Sequence, residues 1–376
     1  MALLTFTMPS LSLGIVGLPN VGKSTLFNAL VKNGQAAASN YPFCTIDPNV
    51  GIVEVPDGRL QVLASIVKPE KIIPAAIEFL DIAGIIKGAS QGEGLGNKFL
   101  SHIRESAAII LVARFFDHPD IIHVNGSVNP KYDLETVLLE LVLADLDTTQ
   151  KTVDRYRKAA KGGDKQAIAA FNYVEKVYAA LEQGRTAATV PAATDEEQIA
   201  LREMQLLTSK PMLVVANVGE EQISTTAEEL FSKHELSTLI PSSEWLIPIS
   251  AQIEAELVAL PESEQAEYLE SFGLKESGLT RLVQSAYHLL GLQTYFTAGP
   301  QEVRAWTIER GWKAPIAAGV IHTDFTKGFI RAEVIAYADY AQFKGEQGAK
   351  EAGKLRLEGK EYIVQDGDVM HFRFNV

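Results

Sequence analysis

Apolar residues follow two patterns along roughly the first 300 positions of this 376-residue chain. In one pattern they form short continuous runs, which are typical of strands buried on both faces of a parallel sheet. In the other they recur every three or four residues, the spacing of an amphipathic helix. Strands that alternate with helices in this way predict an α/β fold. The predicted strands lie at residues 13–17, 51–55, 75–81, 107–113, 210–217 and 245–251.

A long helical pattern interrupts the predicted sheet domain. Apolar positions recur at helical spacing over residues 133–146 and again over 151–180, and Gly162-Gly163 breaks the pattern in the middle. This predicts an inserted helical hairpin of coiled-coil type at residues 146–204. Between Lys151 and Arg185 there are eight basic and four acidic side chains. Two interpretations are open: a solvated helix face, or a surface that faces RNA or the ribosome.

After Gly299 the pattern changes again, to short alternating strands at residues 303–308, 328–334 and 370–376. These strands predict a separate small α+β domain over residues 299–376. Two or three domains also fit the length, which exceeds what one core usually supports. The α/β domain is therefore predicted to comprise residues 1–145 and 205–298, on either side of the hairpin.

Composition limits the classes of function. The only cysteine is Cys44, so neither an intramolecular disulfide nor a cysteine zinc site can form, and a reducing cytoplasm is the expected compartment. No apolar run approaches a membrane span, so no membrane partner is expected. A net charge of −13 disfavours generic binding of nucleic acid and gives no reason to expect DNA specificity, although a local basic patch can override it.

The turn after the first predicted strand has the spacing of a phosphate-binding loop. Gly17 and the following Gly-Lys-Ser match G-x-x-x-x-G-K-[ST], in which backbone N–H groups surround a phosphate. Lys23 is expected to pair with the β- and γ-phosphates and to act in catalysis, and Ser24 is expected to ligate Mg²⁺. The helical pattern after the loop favours this interpretation over a chance glycine turn. The predicted nucleotide contacts of the loop are Asn20, Val21, Gly22, Lys23, Ser24 and Thr25.

Three further positions are typical of a GTPase switch rather than of a kinase or a transporter ATPase. Thr45 lies in a turn-rich segment, where its hydroxyl would join Ser24 on Mg²⁺. Asp81 ends a strand, the place where P-loop enzymes hold Mg²⁺, and Gly84 three residues later can offer its N–H to the γ-phosphate. Ile85 then stands where Ras-like GTPases carry the glutamine that orients the attacking water.

Two residues could replace that glutamine. His102 lies in the next predicted helix, and an imidazole can hydrogen-bond water near neutral pH. A solvent-facing histidine is the equally open alternative. Asn20, in the phosphate loop, could instead hold a monovalent cation beside the phosphates. Both residues can act together.

An altered guanine-reading motif follows the strand at 210–217. Its sequence is N-V-G-E where GTPases carry N-K-x-D, so the asparagine is retained and the lysine and aspartate are replaced. Glutamate is one methylene longer than aspartate and is expected to miss the paired hydrogen bonds to guanine. A Ser-Ala pair ends the next strand, in the position that normally backs the base. The predicted base contacts are Asn217, Val218, Glu220, Ser250 and Ala251.

Taken together, these motifs resemble the YchF-type Obg-like ATPases, a family in the translation-factor class of P-loop GTPases. The resemblance rests on GLPNVGKS at 17–24, NYPFCTIDPN at 40–49, DIAG at 81–84 and NVGE at 217–220. Residues 314–325 and 364–369 are similar to the TGS domain of that family, a β-grasp module. The similarity covers nearly the whole chain. The N-terminus is longer than the family pattern by several residues, so Met8 is an alternative to Met1 as the start.

The resemblance implies a Ras-like P-loop G domain with a coiled-coil insertion and a C-terminal TGS domain. It also implies a preference for ATP over GTP, stimulation by K⁺, and association with the ribosome, where the large subunit or another structured RNA is the expected contact. In this family a histidine that matches His102 is implicated in hydrolysis.

The predicted function is a slow, Mg²⁺-dependent ATPase that acts as a conformational switch on the ribosome. The alternative is a binding module, in which the nucleotide only stabilises a fold that binds the ribosome or RNA and hydrolysis is vestigial. Ile85 slightly favours this alternative. A switch requires an affinity for the ribosome that differs between nucleotide states.

Overall fold

The computed structural model describes residues 12–33, 49–82, 95–124 and 126–375. These residues form two compact units. The first unit contains the predicted phosphate loop and the described part of Glu78–Leu279. The second combines Ile52–Ile77 with the chain from Thr280 onward.

Most strands occur where continuous or alternating apolar residues predicted them, and three further strands at residues 71–73, 292–298 and 356–358 were not predicted. In chain order they are β1 Ser12–Gly17, β2 Val50–Glu54, β3 Lys71–Ile73, β4 Ala76–Asp81, β5 Ala108–Arg114, β6 Met212–Asn217, β7 Leu246–Ile249, β8 Leu292–Ala298, β9 Glu302–Glu309, β10 Phe329–Ala336, β11 Arg356–Glu358 and β12 Asp368–Phe374.

Several helices begin at capping residues. Asn129 accepts a hydrogen bond from the Tyr132 N–H before the helix that begins at Pro130, and Asp164 accepts one from the Ala167 N–H before the helix that begins at Lys165. Within the described ranges, no helix is long and apolar enough to cross a membrane. The helices are α1 Lys23–Asn33, α2 Gly58–Val67, α3 Leu95–Glu105, α4 Pro130–Ala160, α5 Lys165–Glu182, α6 Asp195–Met204, α7 Ala227–Lys233, α8 Ala251–Leu257, α9 Glu262–Ser271, α10 Gly278–Leu289, α11 Ala314–Ala318, α12 Thr323–Gly328, α13 Tyr337–Gln342 and α14 Glu346–Glu351.

The first sheet has the strand order β2-β4-β1-β5-β6-β7. The pairs β1–β4, β1–β5, β5–β6 and β6–β7 are all parallel. Strands β1 and β5 are buried along their whole length, which is why their sequences are continuously apolar. Because the strands are parallel, their carboxyl ends lie at one edge of the sheet, where ligands bind in folds of this type.

The inserted helices form a bundle of their own. Helices α4 and α5 pair as the predicted hairpin, and the break falls at the glycines, with Gly163 at a φ of 78°. Helix α4 begins at Pro130, well before the predicted boundary at residue 146. A third helix, α6, packs against α5 around Tyr173, Val177 and Met204. The insertion is therefore a hairpin plus a third helix that the apolar pattern did not predict.

The second sheet has the order β11-β10-β12-β8-β9-β3. Strands β8 and β9 form an antiparallel hairpin, and β12 is parallel to β8 and antiparallel to β10. One face packs on α11 around Tyr295, Trp306 and Phe372. Strand β8 belongs to this sheet although it precedes the predicted boundary at residue 299. Strand β3, which pairs with β9, comes from the distant segment Lys71–Ile73.

Candidate nucleotide-binding site

The turn between β1 and α1 has the backbone that a phosphate loop requires. Asn20 and Gly22 have positive φ angles of 63° and 91°. A Cβ atom on Gly17 would lie 2.5 Å from the carbonyl oxygen of Val112, and one on Gly22 would lie 2.2 Å from Nδ2 of Asn217. Only glycine fits at both positions. Strands β5 and β6 therefore fix the shape of the loop, together with its own sequence.

Lys23 is the first residue of α1, and its side chain is buried. Its Nζ forms an ion pair with Oδ1 of Asp81, the last residue of β4. The two meet because β4 lies beside β1 in parallel register, with Asp81 opposite Ile15. The structure thus brings together the predicted phosphate-binding cation and a predicted Mg²⁺ ligand, and the two charges neutralise each other.

The oxygen donors in this region have the chemistry that Mg²⁺ prefers. Ser24 has an exposed side chain, and the Asp81 carboxylate is half-buried. Mg²⁺ is usually bound by one or two protein oxygens and completes its octahedron with water and phosphate oxygens. Among the described residues, no group of three or more His, Cys, Asp and Glu side chains could hold a metal ion. A Mg²⁺ ion held mainly by nucleotide phosphates does not require such a group.

Asn217 connects the phosphate loop to the neighbouring strand ends. The residue is buried at the end of β6. Its Nδ2 donates to the carbonyl oxygen of Val21 at 2.8 Å, and its Oδ1 accepts from the Ala251 N–H at 3.0 Å. The predicted base contact therefore also has a structural role. An amide has two N–H groups and two acceptor sites, so one of each is left for a ligand.

The other predicted base contacts surround Asn217. Val218 is buried, and its N–H donates to the carbonyl oxygen of Ile249 at 2.9 Å. Glu220 has an exposed side chain and begins a single 3₁₀ turn over Glu220–Gln222. Ser250 caps α8, since its Oγ accepts from the Ile253 N–H at 3.5 Å. The serine hydroxyl is thus directed at its own helix.

A cavity of about 600 Å³ opens between these segments. Its size is within the range of 300–1,000 Å³ typical of small-molecule sites. The predicted residues that line it are Asn20, Gly22, Thr25, Asn217, Val218, Glu220, Ser250 and Ala251. Val21, Lys23, Ser24 and Asp81 do not line it. The structure therefore joins most of the predicted phosphate and base contacts around one space.

The sequence patterns did not predict one wall of the cavity. It is the loop after β5, and Phe116, Asp117, His118 and Ile121 line the cavity. Arg114, just before this loop, is fully buried. The available signal was a single arginine at the end of an otherwise apolar strand, because a buried charge requires nearby partners.

His102 is exposed on α3 and does not line the cavity. The neighbouring Arg104 donates to the Gln205 carbonyl oxygen at 3.1 Å and to Oγ1 of Thr148 at 2.9 Å. These contacts fix the end of α3, but they do not bring His102 to the other predicted residues. Its catalytic role stays a prediction. Met8, Thr45, Gly84 and Ile85 lie outside the described residues.

The helical insertion is less basic than its first two helices suggested. Over residues 151–204 the chain has nine basic and eight acidic side chains, because α6 and its flanks add four acidic residues and one arginine. Arg155 pairs with Glu203 at 3.0 Å, and Arg157 pairs with Asp154 at 2.9 Å. The positive charge of Arg155 and Arg157 on α4 is therefore largely balanced by neighbouring carboxylates.

Models of two protein families match the chain. The first, described as a 50S ribosome-binding GTPase, matches residues 12–172. The second is the C-terminal domain of YchF GTPases, described as a protein of unknown function, and it matches residues 292–375.

Relatives match over nearly the full length. A protein of Bacillus subtilis strain 168 is 55% identical over 368 residues, which are 98% of this chain and 100% of that protein. One from Pasteurella multocida strain Pm70 is 54% identical and covers 96% of this chain and 99% of its own length. Both are named ribosome-binding ATPase YchF.

A solved structure, the YchF GTPase of Schizosaccharomyces pombe, superposes with a TM-score of 0.86. It is 38% identical in sequence and covers 97% of this chain and 98% of its own. These similarities confirm the predicted fold class, a P-loop GTPase α/β domain followed by a C-terminal domain.

Proposed function

This chain belongs to the YchF family, and from that premise we propose that it is a ribosome-binding ATPase that works as a nucleotide-dependent switch. It binds ATP in preference to GTP, hydrolyses it slowly with Mg²⁺, and responds to K⁺. The observation that carries the proposal is that Asn217 joins a phosphate loop to an N-V-G-E strand end around one cavity. A role on the ribosome also implies the cytoplasm.

The phosphate half of the site works by exchanging partners. Lys23 and Asp81 neutralise each other in the structure. With ATP bound, Lys23 would turn to the β- and γ-phosphates, and the freed carboxylate of Asp81 would hold Mg²⁺ together with the hydroxyl of Ser24 and, as we propose, that of Thr45. The chemistry that Mg²⁺ would supply there is to offset the negative charge of the phosphates during transfer of the γ-phosphoryl group. The N-terminal N–H groups of α1, and the N–H that we assign to Gly84, bind the same phosphates.

The base half of the site is compatible with adenine. The second N–H of Asn217 can donate to a ring nitrogen, and the second acceptor site of its Oδ1 can accept from the exocyclic amino group. Val218 contributes an apolar surface in place of the lysine of a guanine site. Glu220 is exposed and can turn away from N1 of adenine, which it would repel. Losing the paired contact to guanine costs GTP roughly 2–4 kcal/mol.

Two residues are proposed to assist the attack of water. We propose that His102, on α3, positions the attacking water once ATP is bound. Asn20 already has a fixed orientation, because its Nδ2 donates to the Ile122 carbonyl oxygen at 3.3 Å. Its Oδ1 accepts no hydrogen bond within the described part of the chain, so it can coordinate K⁺ beside the phosphates.

The tip of the helical insertion is the proposed contact with ribosomal RNA of the large subunit. Lys158, Lys161 and Lys165 surround the turn between α4 and α5, and all three are exposed. Among the residues that the structure describes, these three lysines form no ion pair, whereas Arg155 and Arg157, earlier on α4, are both paired with carboxylates. Unpaired lysines can neutralise RNA phosphates and release counterions on binding.

Reversing the three tip lysines to glutamate should weaken ribosome association and flatten its dependence on salt. ATP hydrolysis without ribosomes should stay unchanged. Co-sedimentation with ribosomes across a salt series measures the effect. The matched control is the same triple reversal at exposed lysines of the C-terminal unit, Lys344, Lys350 and Lys360. If only the control weakens association, the C-terminal unit makes the contact instead.

We propose that these parts correspond to three domains. The G domain takes residues 1–145 and 205–298, the insertion takes 146–204, and the TGS domain takes 299–376. The mixed sheet of the second unit supports a separate C-terminal domain, and its strand β8, Leu292–Ala298, places the start of that domain a few residues before position 299.

The proposed function is tested by measuring ATP and GTP hydrolysis side by side, with Mg²⁺, with K⁺ or Na⁺, and with or without ribosomes. Ribosome affinity is measured in parallel with ATP, ADP and no nucleotide. The proposed specificity predicts faster hydrolysis of ATP than of GTP. A switch predicts an affinity for the ribosome that depends on the bound nucleotide. Equal ribosome affinity in all three states would favour the binding module, and equal use of GTP would contradict the specificity.

A further inference from the structure

Arg114 is the last residue of β5 and has no solvent exposure. In the register of the sheet it lies opposite Asn217 on β6. Its guanidinium donates to three carbonyl oxygens of the loop that follows: Nε to Phe116 at 2.9 Å, Nη1 to Ile121 at 3.0 Å and Nη2 to His118 at 3.4 Å. One side chain therefore holds the beginning, middle and end of this loop.

The charge of Arg114 is satisfied almost entirely by the loop itself. The nearest recorded carboxylate, on Asp117, lies 3.9 Å from Nη2 and is itself almost fully exposed, so this ion pair contributes little. The ring of Phe116 lies 4.7 Å from the guanidinium carbon, in a cation–π arrangement. Burying a charge is costly unless it is well hydrogen-bonded, so the loop and the arginine depend on each other.

The same loop forms one wall of the nucleotide cavity, which the N-V-G-E segment also lines. Phe116, His118 and Ile121 all line the cavity. The loop is also tied to the site at both ends, since the Phe115 N–H donates to the Asn217 carbonyl oxygen at 2.8 Å and Nδ2 of Asn20 donates to the Ile122 carbonyl oxygen. A shift of the loop would therefore change the width of the cavity.

We propose that Arg114 is a positioning residue for the nucleoside half of bound ATP. By holding the carbonyl groups of residues 116–121, it preorganises the wall against which the base and ribose pack, while the phosphate loop binds the triphosphate independently. Lysine cannot replace it, because one ammonium group lacks the planar fork that reaches three carbonyl groups. The inference rests on the proposed nucleotide site.

The test compares ATP with inorganic tripolyphosphate, both with Mg²⁺, in the native chain and in Arg114→Lys. Calorimetry should show that the variant binds ATP about 10- to 100-fold more weakly, because several wall residues must now be ordered on binding. Binding of tripolyphosphate should change by less than about twofold, since it does not reach the wall. Lys210→Met is the matched control. Lys210 also donates to backbone carbonyl oxygens, those of Arg104 and Ser106, but it precedes β6, away from the strand end that carries Asn217.

The outcomes are distinct. Equal weakening of both ligands would show general damage and overturn the inference, as would unchanged binding of ATP. If the native chain binds neither ligand, the proposed function itself fails. Hydrogen exchange on the native protein gives a measurement that does not depend on folding of the variant. ATP should protect the amides of residues 116–121 and tripolyphosphate should not; equal protection by both would contradict the assignment.

Discussion

Replacing Asn217 with alanine tests whether one side chain shapes both halves of the site. The change removes two hydrogen bonds of 2.8 and 3.0 Å and leaves the carbonyl oxygen of Val21 and the N–H of Ala251 without their partner. A buried group that loses its partner costs about 1–3 kcal/mol. Because Ala251 and the replaced side chain of Asn217 line the cavity, water can enter the space that is vacated, so the lower half of the summed range applies. We expect a loss of about 2–4 kcal/mol in the free energy of unfolding of the first unit.

Two assays on the same samples check this value. Urea denaturation gives the free energy of unfolding, and titration with a fluorescent ATP analogue gives the affinity. The variant should also bind ATP at least about tenfold more weakly, because Asn217 can no longer contact the base and the phosphate loop is less ordered. The matched control is Thr208→Val. Its buried hydroxyl accepts from the Ala187 N–H at 2.9 Å and donates to Asp145 at 2.7 Å, in a region that does not line the cavity. It should lose stability but keep its affinity for ATP.

The reasoning would be refuted by an Asn217→Ala variant that unfolds like the native protein and binds ATP normally. A variant of native stability with weak binding would make Asn217 a base contact alone. If the Thr208→Val control also lost its affinity for ATP, a general loss of stability would explain the effect, and the hydrogen bonds of Asn217 between the two halves of the site would not be needed to explain it.

Three further predictions concern the chemistry. Lys23→Ala should abolish hydrolysis. Its circular dichroism spectrum and its midpoint of unfolding should stay close to native, since the partner Asp81 is half-buried and can be hydrated. Normal turnover by this variant would exclude the site as catalytic. His102→Ala should lower kcat by about 10- to 100-fold with little change in nucleotide affinity, as expected of a group used only in the transition state. If its turnover is native, replacing K⁺ with Na⁺ should have the larger effect. Val218→Lys combined with Glu220→Asp should gain affinity for GTP in competition assays, and tighter binding of GTP than of ATP by the native chain would contradict the specificity.

The parallel sheet and the phosphate loop could be predicted because their signals are local. Strands β1 and β5 are buried on both faces, and the constraint acts on every residue of each strand. The phosphate loop needs glycine at Gly17 and Gly22 for steric reasons that appear directly in the spacing. Parallel pairing then places the polar strand ends at one edge, so Asp81 and Asn217 were assigned correctly to the neighbourhood of the loop, although their roles there are still predictions.

The features that were missed depend on contacts between distant segments. Nothing in the sequence near Lys71–Ile73 indicates that this strand pairs with β9. The charge of α4 and α5 appeared unbalanced because the carboxylate that pairs with Arg155 comes from Glu203, on the third helix, which the apolar pattern did not predict. Local periodicity reports which face of an element is buried, but it does not report which other element covers that face.

The contacts of Asn217 also suggest why an N-K-x-D motif can become N-V-G-E without loss of the fold. Asn217 has hydrogen bonds to two other segments, so its replacement would disturb the phosphate loop as well as base recognition. The side chains of the two substituted positions, Val218 and Glu220, make no such hydrogen bonds in the described structure. The contact of Val218 with Ile249 is made by its backbone N–H, which any residue except proline retains, and the side chain of Glu220 is exposed. Base specificity can therefore change at these two positions while the hydrogen bonds of Asn217 still hold the phosphate loop and the neighbouring strand ends together. The same argument predicts that the Val218→Lys and Glu220→Asp pair folds as well as the native chain, because the longer lysine side chain can extend into the cavity that Val218 already lines.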